Sequence, residues 1–339
     1  MSLFLRIANQ LRCYASYALS LCGVVRVRHL PTFVSVEPAN VCQLRCPECP
    51  VGMRHGRPPG RGELLSRELY DRILSQAAPR AHTIQFYFQG EPLLNPHLPE
   101  MIRAASDAGL YTIVSTNAQA LDREMAKRLV DSGLRRIIIS MDGLSQEAYE
   151  AYRQGGDVEK AKAAIRYLHE EREKAGKRGR RCGRPRIELQ CLLLRSNEAE
   201  WRDLKEQYLA LGADCLTFKT AQLYDYAHGH PLMPTDVRYA RYERGKDGVY
   251  HLKRSGLRRM WEKWFGVSPC YRLWAGCVVT ASGEVLPCCY DKEHAHTYGN
   301  LHDSSLQALF RSENANRFRR QVIRAQGENV HEICANCWH

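Results

Sequence analysis

The chain has 339 residues, 14 of them Cys, with 49 basic and 37 acidic side chains and a net charge of +12. A length of about two domains, with 44% hydrophobic and 25% charged residues, excludes a disordered, collagenous or coiled-coil protein, and also a tiny fold stapled by disulfides. The cysteines therefore form disulfides outside the cell or act as thiolates inside it, and their spacing has to decide.

Residues 13–25 carry no charge and follow Arg6 and Arg12, which resembles the start of a signal peptide. The stretch is too short to span a membrane, which takes about 20 residues. Phe4, Ile7, Leu11, Ala15, Ala18 and Cys22 recur at helical spacing, while Arg6, Asn9, Gln10, Ser16 and Ser20 lie mostly off that stripe. Pro31 blocks continuation. This predicts an amphipathic helix within 1–32 that caps the next domain. A helix resting on a membrane surface and a cleaved signal are the alternatives.

Apolar runs at 33–36, 84–88, 111–114, 136–139, 187–194 and 215–218 read as buried strands. Helical patterns near 67–78, 97–108, 122–132, 145–152, 157–173 and 198–211 separate them, with Asp122 and Ser145 placed as N-caps. Six β/α units over 33–220 predict a parallel sheet with helices outside, of the α/β class, which can close partly, as a partial (β/α)6 TIM-like barrel, or fully. Chemistry then belongs on the loops at the C-terminal ends of the strands. A basic stretch at 174–186 reads as a solvated loop, or as a patch for an anionic partner. Residues 221–268, rich in Tyr, Arg, His and Lys, read as a bridge to a small domain at 269–339.

Cys42, Cys46 and Cys49 form C-x3-C-x2-C directly after the first strand, a pattern expected by chance about 0.02 times in such a chain. Three soft thiolates suit iron–sulfur or zinc. A structural zinc site wants four closed ligands, and only His55 stands near as a fourth. Four irons held by three thiolates leave one iron open to a small molecule. The spacing and its place after a first strand resemble the signature of the radical S-adenosylmethionine (radical SAM) superfamily. That resemblance implies a cluster whose open iron chelates S-adenosylmethionine and, on one-electron reduction, yields a 5′-deoxyadenosyl radical that abstracts hydrogen from substrate. Where the family often has an aromatic residue before the third Cys, this chain has Glu48.

Gln89-Gly90-Glu91-Pro92, Ser115-Thr116-Asn117, Ser140-Met141-Asp142-Gly143 and Arg153 then follow successive strands. They resemble the family's cofactor-contacting motifs. The likeness implies S-adenosylmethionine contacts from Gly90, Glu91, Pro92, Thr116, Asn117, Ser140, Asp142 and Arg153. Simple turn, helix-cap and surface roles are the bland readings.

Cys270, the hairpin 280–285, Pro287-Cys288-Cys289, Asp291, 299–301, a helix near 306–310 and a closing Cys334-x2-Cys337 are similar to a SPASM/twitch auxiliary-cluster domain. The likeness implies one auxiliary 4Fe-4S cluster on Cys270, Cys288, Cys334 and Cys337. Cys289 is the alternative to Cys288, because adjacent strand residues face opposite ways. Cys277 reads as core. Cys13, Cys22, Cys182, Cys191 and Cys215 read as plain thiols, with Cys191 a candidate for the cavity.

The expectation is a radical SAM oxidoreductase or maturase in a reducing cytoplasm, acting on a peptide or sugar-like substrate and fed by a flavodoxin- or ferredoxin-like donor. Alcohol oxidation would need a deprotonating residue, and the bridge offers Tyr224, Tyr226, His228 and His230. An RNA-modifying enzyme using the basic surface has no binding-module signature to support it. A non-catalytic iron–sulfur or zinc carrier leaves the strand-end motifs unexplained.

Overall fold

The computed structural model describes residues 2–53, 63–177, 184–253, 256, 260, 264, 266, 268, 270–324 and 332–337. His55, Cys182, Pro269 and much of the basic stretch lie outside these residues.

Six strands follow one another in chain order: β1 (Phe33–Val36), β2 (Thr83–Phe86), β3 (Tyr111–Thr116), β4 (Arg136–Ser140), β5 (Arg186–Leu193) and β6 (Cys215–Thr220). Each pairs in parallel with the next, and β1 does not pair with β6. The result is the open, partial barrel expected from six β/α units. Residues 34–36 and 137–140 are buried along their whole length, as strands covered on both faces must be. Among the helices are α1 (Ser2–Leu21), α2 (Pro50–Met53), α3 (Arg67–Ala77), α4 (Leu98–Asp107), α5 (Arg123–Asp131), α6 (Gln146–Glu150), α7 (Val158–Lys177) and α8 (Trp201–Ala210). Asp122 and Ser145 do cap α5 and α6, accepting from the amides of Met125 at 2.8 Å and Ala148 at 3.2 Å.

The C-terminal lobe joins the same sheet. After α9 (Arg272–Ala275), β9 (Gly276–Val279) pairs in parallel with the free edge of β1, Phe33 opposite Gly276 and Val36 opposite Val279. Antiparallel β10 (Glu284–Leu286) and β11 (Gly299–Asn300) extend it to nine strands, followed by α10 (Leu306–Arg311) and α11 (Glu313–Arg324). In the bridge, β7 (Tyr242–Arg244) and β8 (Tyr250–Leu252) form a small separate hairpin.

The docked face of α1 inverts the expectation of an amphipathic cap. Arg6, Asn9, Cys13, Ser16 and Ser20 are buried, and the apolar stripe points to solvent. Arg6 donates to the carbonyls of Ala78 (2.9 Å), Ala108 (2.7 Å) and Gly109 (2.7 Å), at the ends of α3 and α4. Helix C-termini carry unpaired carbonyls and partial negative charge, so a guanidinium suits them. Asn9 exchanges hydrogen bonds with the backbone of Leu30, and Tyr14 stacks on Tyr271 with centroids 5.6 Å apart. These acceptors precede β1, β2 and β3, so α1 crosses the N-terminal end of the barrel. Arg6→Ala removes one donor from three carbonyls and is expected to weaken helix docking by about 3 kcal/mol. Faster amide exchange in 2–21, with the barrel unchanged, would show it; unaltered exchange there would count against this anchoring.

Candidate active site

A cavity of about 400 Å³ opens at the C-terminal ends of the strands, and Cys42, Cys46 and Cys49 line it. None of the three is in a disulfide. The loop carrying them is tightly packed. A Cβ on Gly52, in α2, would lie 2.4 Å from the Cys46 carbonyl oxygen, so only glycine lets that turn close over the loop. The Cys42 sulfur accepts from the Leu44 amide and from Asn117 Nδ2, both at 3.4 Å. Burial pushes its thiol up to about 12 and raises that of Cys46 as well. Bare thiolates are disfavoured here, and a bound cationic centre is what would hold them deprotonated. Among the described residues no three His, Cys, Asp or Glu are grouped tightly enough for a single metal ion. Three soft thiolates with no fourth ligand beside them among the described residues suit a cluster of several irons, one thiolate to each iron, better than a closed four-ligand zinc site.

The Gly90 loop seats directly on the cysteine loop. A Cβ at Gly90 would stand 2.0 Å from the Ala39 carbonyl oxygen, and the Glu91 amide donates to Val41 at 2.8 Å. Glu91 is buried, and its carboxylate accepts from Thr116 Oγ1 (2.6 Å), the Asn117 amide (2.8 Å) and the Leu93 amide (3.1 Å). Burial raises its pKa against those donors. Glu91 thus braces the second strand-end loop to the third, and an ammonium would have to use its remaining lone pairs.

Gly90, Glu91, Thr116, Asn117, Ser140 and Arg153 all reach the cavity wall. Pro92 and Asp142 are not part of the lining. Asp142 is wholly buried, accepting from the Leu192 amide at 2.7 Å and pairing with Arg153 Nε at 2.6 Å. Burial works against the Arg153 charge, but Asp142 and the Cys46 sulfur, 4.0 Å from Nη1, hold its pKa well above the ordinary value.

Behind this wall stands Glu37, which was not singled out from its residue type alone. Its carboxylate accepts from the amides of Gln89 (3.4 Å) and Ala281 (3.3 Å), tying the Gly90 loop to the C-terminal lobe. Burial lifts its pKa to about 7. A carboxyl raised in the fold stabilises it fully below the unfolded value of 4.5 and loses that contribution as pH rises through 7. Glu37→Gln is expected to match the parent near pH 4.5 and to exceed its stability by up to about 3 kcal/mol above about pH 8. Denaturant melts at the two pH values measure this; a difference that does not vary with pH would contradict it.

Glu48, in the place of the expected aromatic, also has a structural role. It accepts from the Tyr224 amide at 2.8 Å and pairs with His230 at 3.3 Å, fastening the bridge to the cysteine loop. Tyr224, Tyr226, His228 and His230 do not line the 400 Å³ cavity. Tyr226 stacks on Tyr242, His228 is exposed, and both tyrosines line a neighbouring cavity of about 500 Å³. The central wall is completed instead by Gln190, Lys219, Gln222, Arg241 and Lys292. Gln190 shows the signal that was available: alternate residues at the end of β5 face inward, which also turns buried Cys191 away.

In the C-terminal lobe, Cys288 is buried within electrostatic reach of Cys270 and Cys334, and Cys337 closes a turn on the Cys334 carbonyl at 3.0 Å. Cys289 faces the central cavity. Both residues lie in the turn that follows β10, so strand alternation does not apply to them, yet their side chains have different surroundings. Cys277 is core, as expected.

Two family descriptions match the chain, together over more than half of it: "Radical SAM superfamily" over residues 36–176 and "Iron-sulfur cluster-binding domain", the SPASM family, over 270–338. The PqqA peptide cyclase of Rhodopseudomonas palustris is 33% identical over 211 residues, which are 61% of this chain and 52% of that protein. The chain spans about half the length of the curated relatives it first matches. Its fold is similar to that of Streptococcus suis SuiB bound to the precursor peptide SuiA (TM-score 0.62, 12% identity, covering 89% of this chain and 69% of that one). It is also similar to anSMEcpe with bound AdoMet (TM-score 0.58, 19% identity, 91% and 86% covered). The chain belongs to the radical SAM superfamily and carries a SPASM iron–sulfur domain, so its cofactors are S-adenosylmethionine and iron–sulfur clusters.

Proposed function

We propose that this chain is a radical SAM maturase that removes hydrogen from a peptide, leaving a new bond or an oxidised residue. When bound, a reduced cluster and S-adenosylmethionine supply a 5′-deoxyadenosyl radical for hydrogen abstraction, and an auxiliary cluster supplies an acceptor for the electron left behind. Cys42, Cys46 and Cys49 hold the first cluster; Cys270, Cys288, Cys334 and Cys337 hold the second. The Gly90 backbone, Thr116, Asn117, Ser140 and Arg153 orient the cofactor. Glu91 and Asp142 fix those groups from behind, and Arg153 offers its guanidinium to a carboxylate.

One observation carries the choice of a peptide. The central cavity and the 500 Å³ cavity beside it share Gln222 and Lys292 as a common wall. Two adjoining cavities lined by Tyr224, Tyr226 and Tyr290 on one side and Lys219 and Arg241 on the other suit an extended chain more than a single sugar ring. The named substrates of the relatives and neighbours point the same way: PqqA, SuiA and the Cp18Cys peptide.

The test is anaerobic. Iron-loaded protein with S-adenosylmethionine and dithionite, or a reduced flavodoxin, should release 5′-deoxyadenosine. A short peptide encoded beside the gene, co-expressed with it, should lose one pair of hydrogens by mass. No release from fully loaded protein overturns the enzymatic reading; release with a modified sugar and unmodified peptides overturns the substrate. Cys270→Ala with Cys334→Ala should halve the iron, and unchanged iron would overturn the second ligand set.

A further inference from the structure

The polar docking of α1 leaves a long apolar surface uncovered. Phe4 is 74% exposed, Leu11 62% and Ile7 48%, and Leu3, Tyr14 and Leu19 are each more than half exposed. Phe4, Ile7, Leu11, Ala15 and Ala18 fall on one line along the helix, a rod of some four turns. This face is not loose: Arg6 and Asn9 pin the opposite side by hydrogen bonds to the backbone of residues 30, 78, 80, 108 and 109. Residues 1–36 contain four Arg and no Asp or Glu. Arg6 is used in docking, while Arg12, Arg26 and Arg28 are exposed. Arg80 and Arg12 lie close enough to Arg311 for their charges to lower its pKa, after burial itself, so the cations gather around one end of the fold.

We propose that this face of α1 seats the protein on an anionic lipid bilayer. An apolar stripe flanked by arginines and free of acids is the pattern of a helix lying in the interface, with side chains in the acyl boundary and guanidiniums at the headgroup phosphates. Charge complementarity selects this occupant. A second copy would bring the same cations against each other, whereas an anionic surface neutralises them. No helix among the described residues is long and apolar enough to cross a membrane, so the contact is peripheral. Because α1 covers the N-terminal end of the barrel and the cavity opens at the other end, a seated molecule points its active site away from the bilayer. Its substrate then arrives from water.

The experiment is co-sedimentation of the iron-loaded full chain with vesicles of phosphatidylcholine alone and with about one-third phosphatidylglycerol. Binding is expected only to the anionic vesicles and should weaken as salt shortens the Debye length. Ile7→Glu with Leu11→Glu should weaken partitioning roughly a hundredfold, with iron content unchanged. Arg12→Glu with Arg28→Glu should weaken it too. Should the first pair fail to fold, Leu3→Ala with Phe4→Ala tests the same face by a smaller loss. The proposal is overturned by no binding at low salt, by equal binding to neutral vesicles, or by binding that survives the α1 substitutions. It is equally overturned by a dimer that those substitutions dissolve. The readout is independent of catalysis, so its failure leaves the proposed function standing.

Discussion

Replacing Cys46 with alanine is expected to abolish S-adenosylmethionine cleavage and to remove about four irons per chain, leaving the C-terminal site loaded. Cys46 sits at the centre of the loop. Its backbone is clamped by Gly52 and its sulfur lies 4.0 Å from Arg153. Two remaining thiols cannot hold a cluster that needs three. The change is small, buried and apolar, so the melting point of the iron-free protein should scarcely move. Cys22→Ala, at an exposed thiol on the other end of the molecule, is the control and should leave both iron and cleavage intact. Iron determination and chromatography of 5′-deoxyadenosine decide it. Full iron with full cleavage in Cys46→Ala would sink the assignment of the first cluster.

The second large effect is on stability. Asp142→Ala strands the Arg153 guanidinium and the Leu192 amide in a buried wall at one stroke. Breaking such a pair from one side costs about 3–5 kcal/mol, a fall in melting temperature of roughly 4–7 °C for a chain of this size. Asp142→Asn should cost less, since its carbonyl still accepts from Leu192. Removing both partners, as Asp142→Leu with Arg153→Met, should restore much of the stability while S-adenosylmethionine binding stays weak. That split separates a fold contribution from a cofactor contribution. If the double variant is as unstable as the single, the pair does not act as a unit.

What could be read from the residues alone follows from what periodicity encodes. Strand runs such as 136–139 and caps such as Asp122 and Ser145 are local, and they lie where expected to within a residue or two. The motif order Gly90, Thr116, Ser140 converges on one cavity because parallel strands present all their C-terminal ends on one side. Helix α1 shows the limit. A helical wheel tells which residues share a face and not which face docks. The acceptors that claim Arg6 belong to residues 78, 108 and 109, contributed by other helices. Glu48 is similar, since its partners Tyr224 and His230 come from the bridge, more than 170 residues away. Tyr226 and its neighbours were attractive as acids and bases by type. Their placement was decided by the Tyr226–Tyr242 stack and by Asn336, which accepts from the Tyr242 hydroxyl at 2.8 Å and donates to the Leu223 carbonyl at 2.6 Å.

The parallel pairing of β9 with β1 also governs how the molecule comes apart. The C-terminal lobe is not an appendage on a tether. Its first strand covers the edge of β1, where Val34 and Val36 are fully buried. Cutting the chain after the bridge would leave that edge bare, a row of unpaired amides and carbonyls flanked by valines, ready to recruit another chain. The barrel should therefore resist expression as a truncated piece and precipitate when attempted. In the intact protein both regions should melt in one cooperative transition, with the cluster-bearing lobe serving as the sheet's own protection against aggregation.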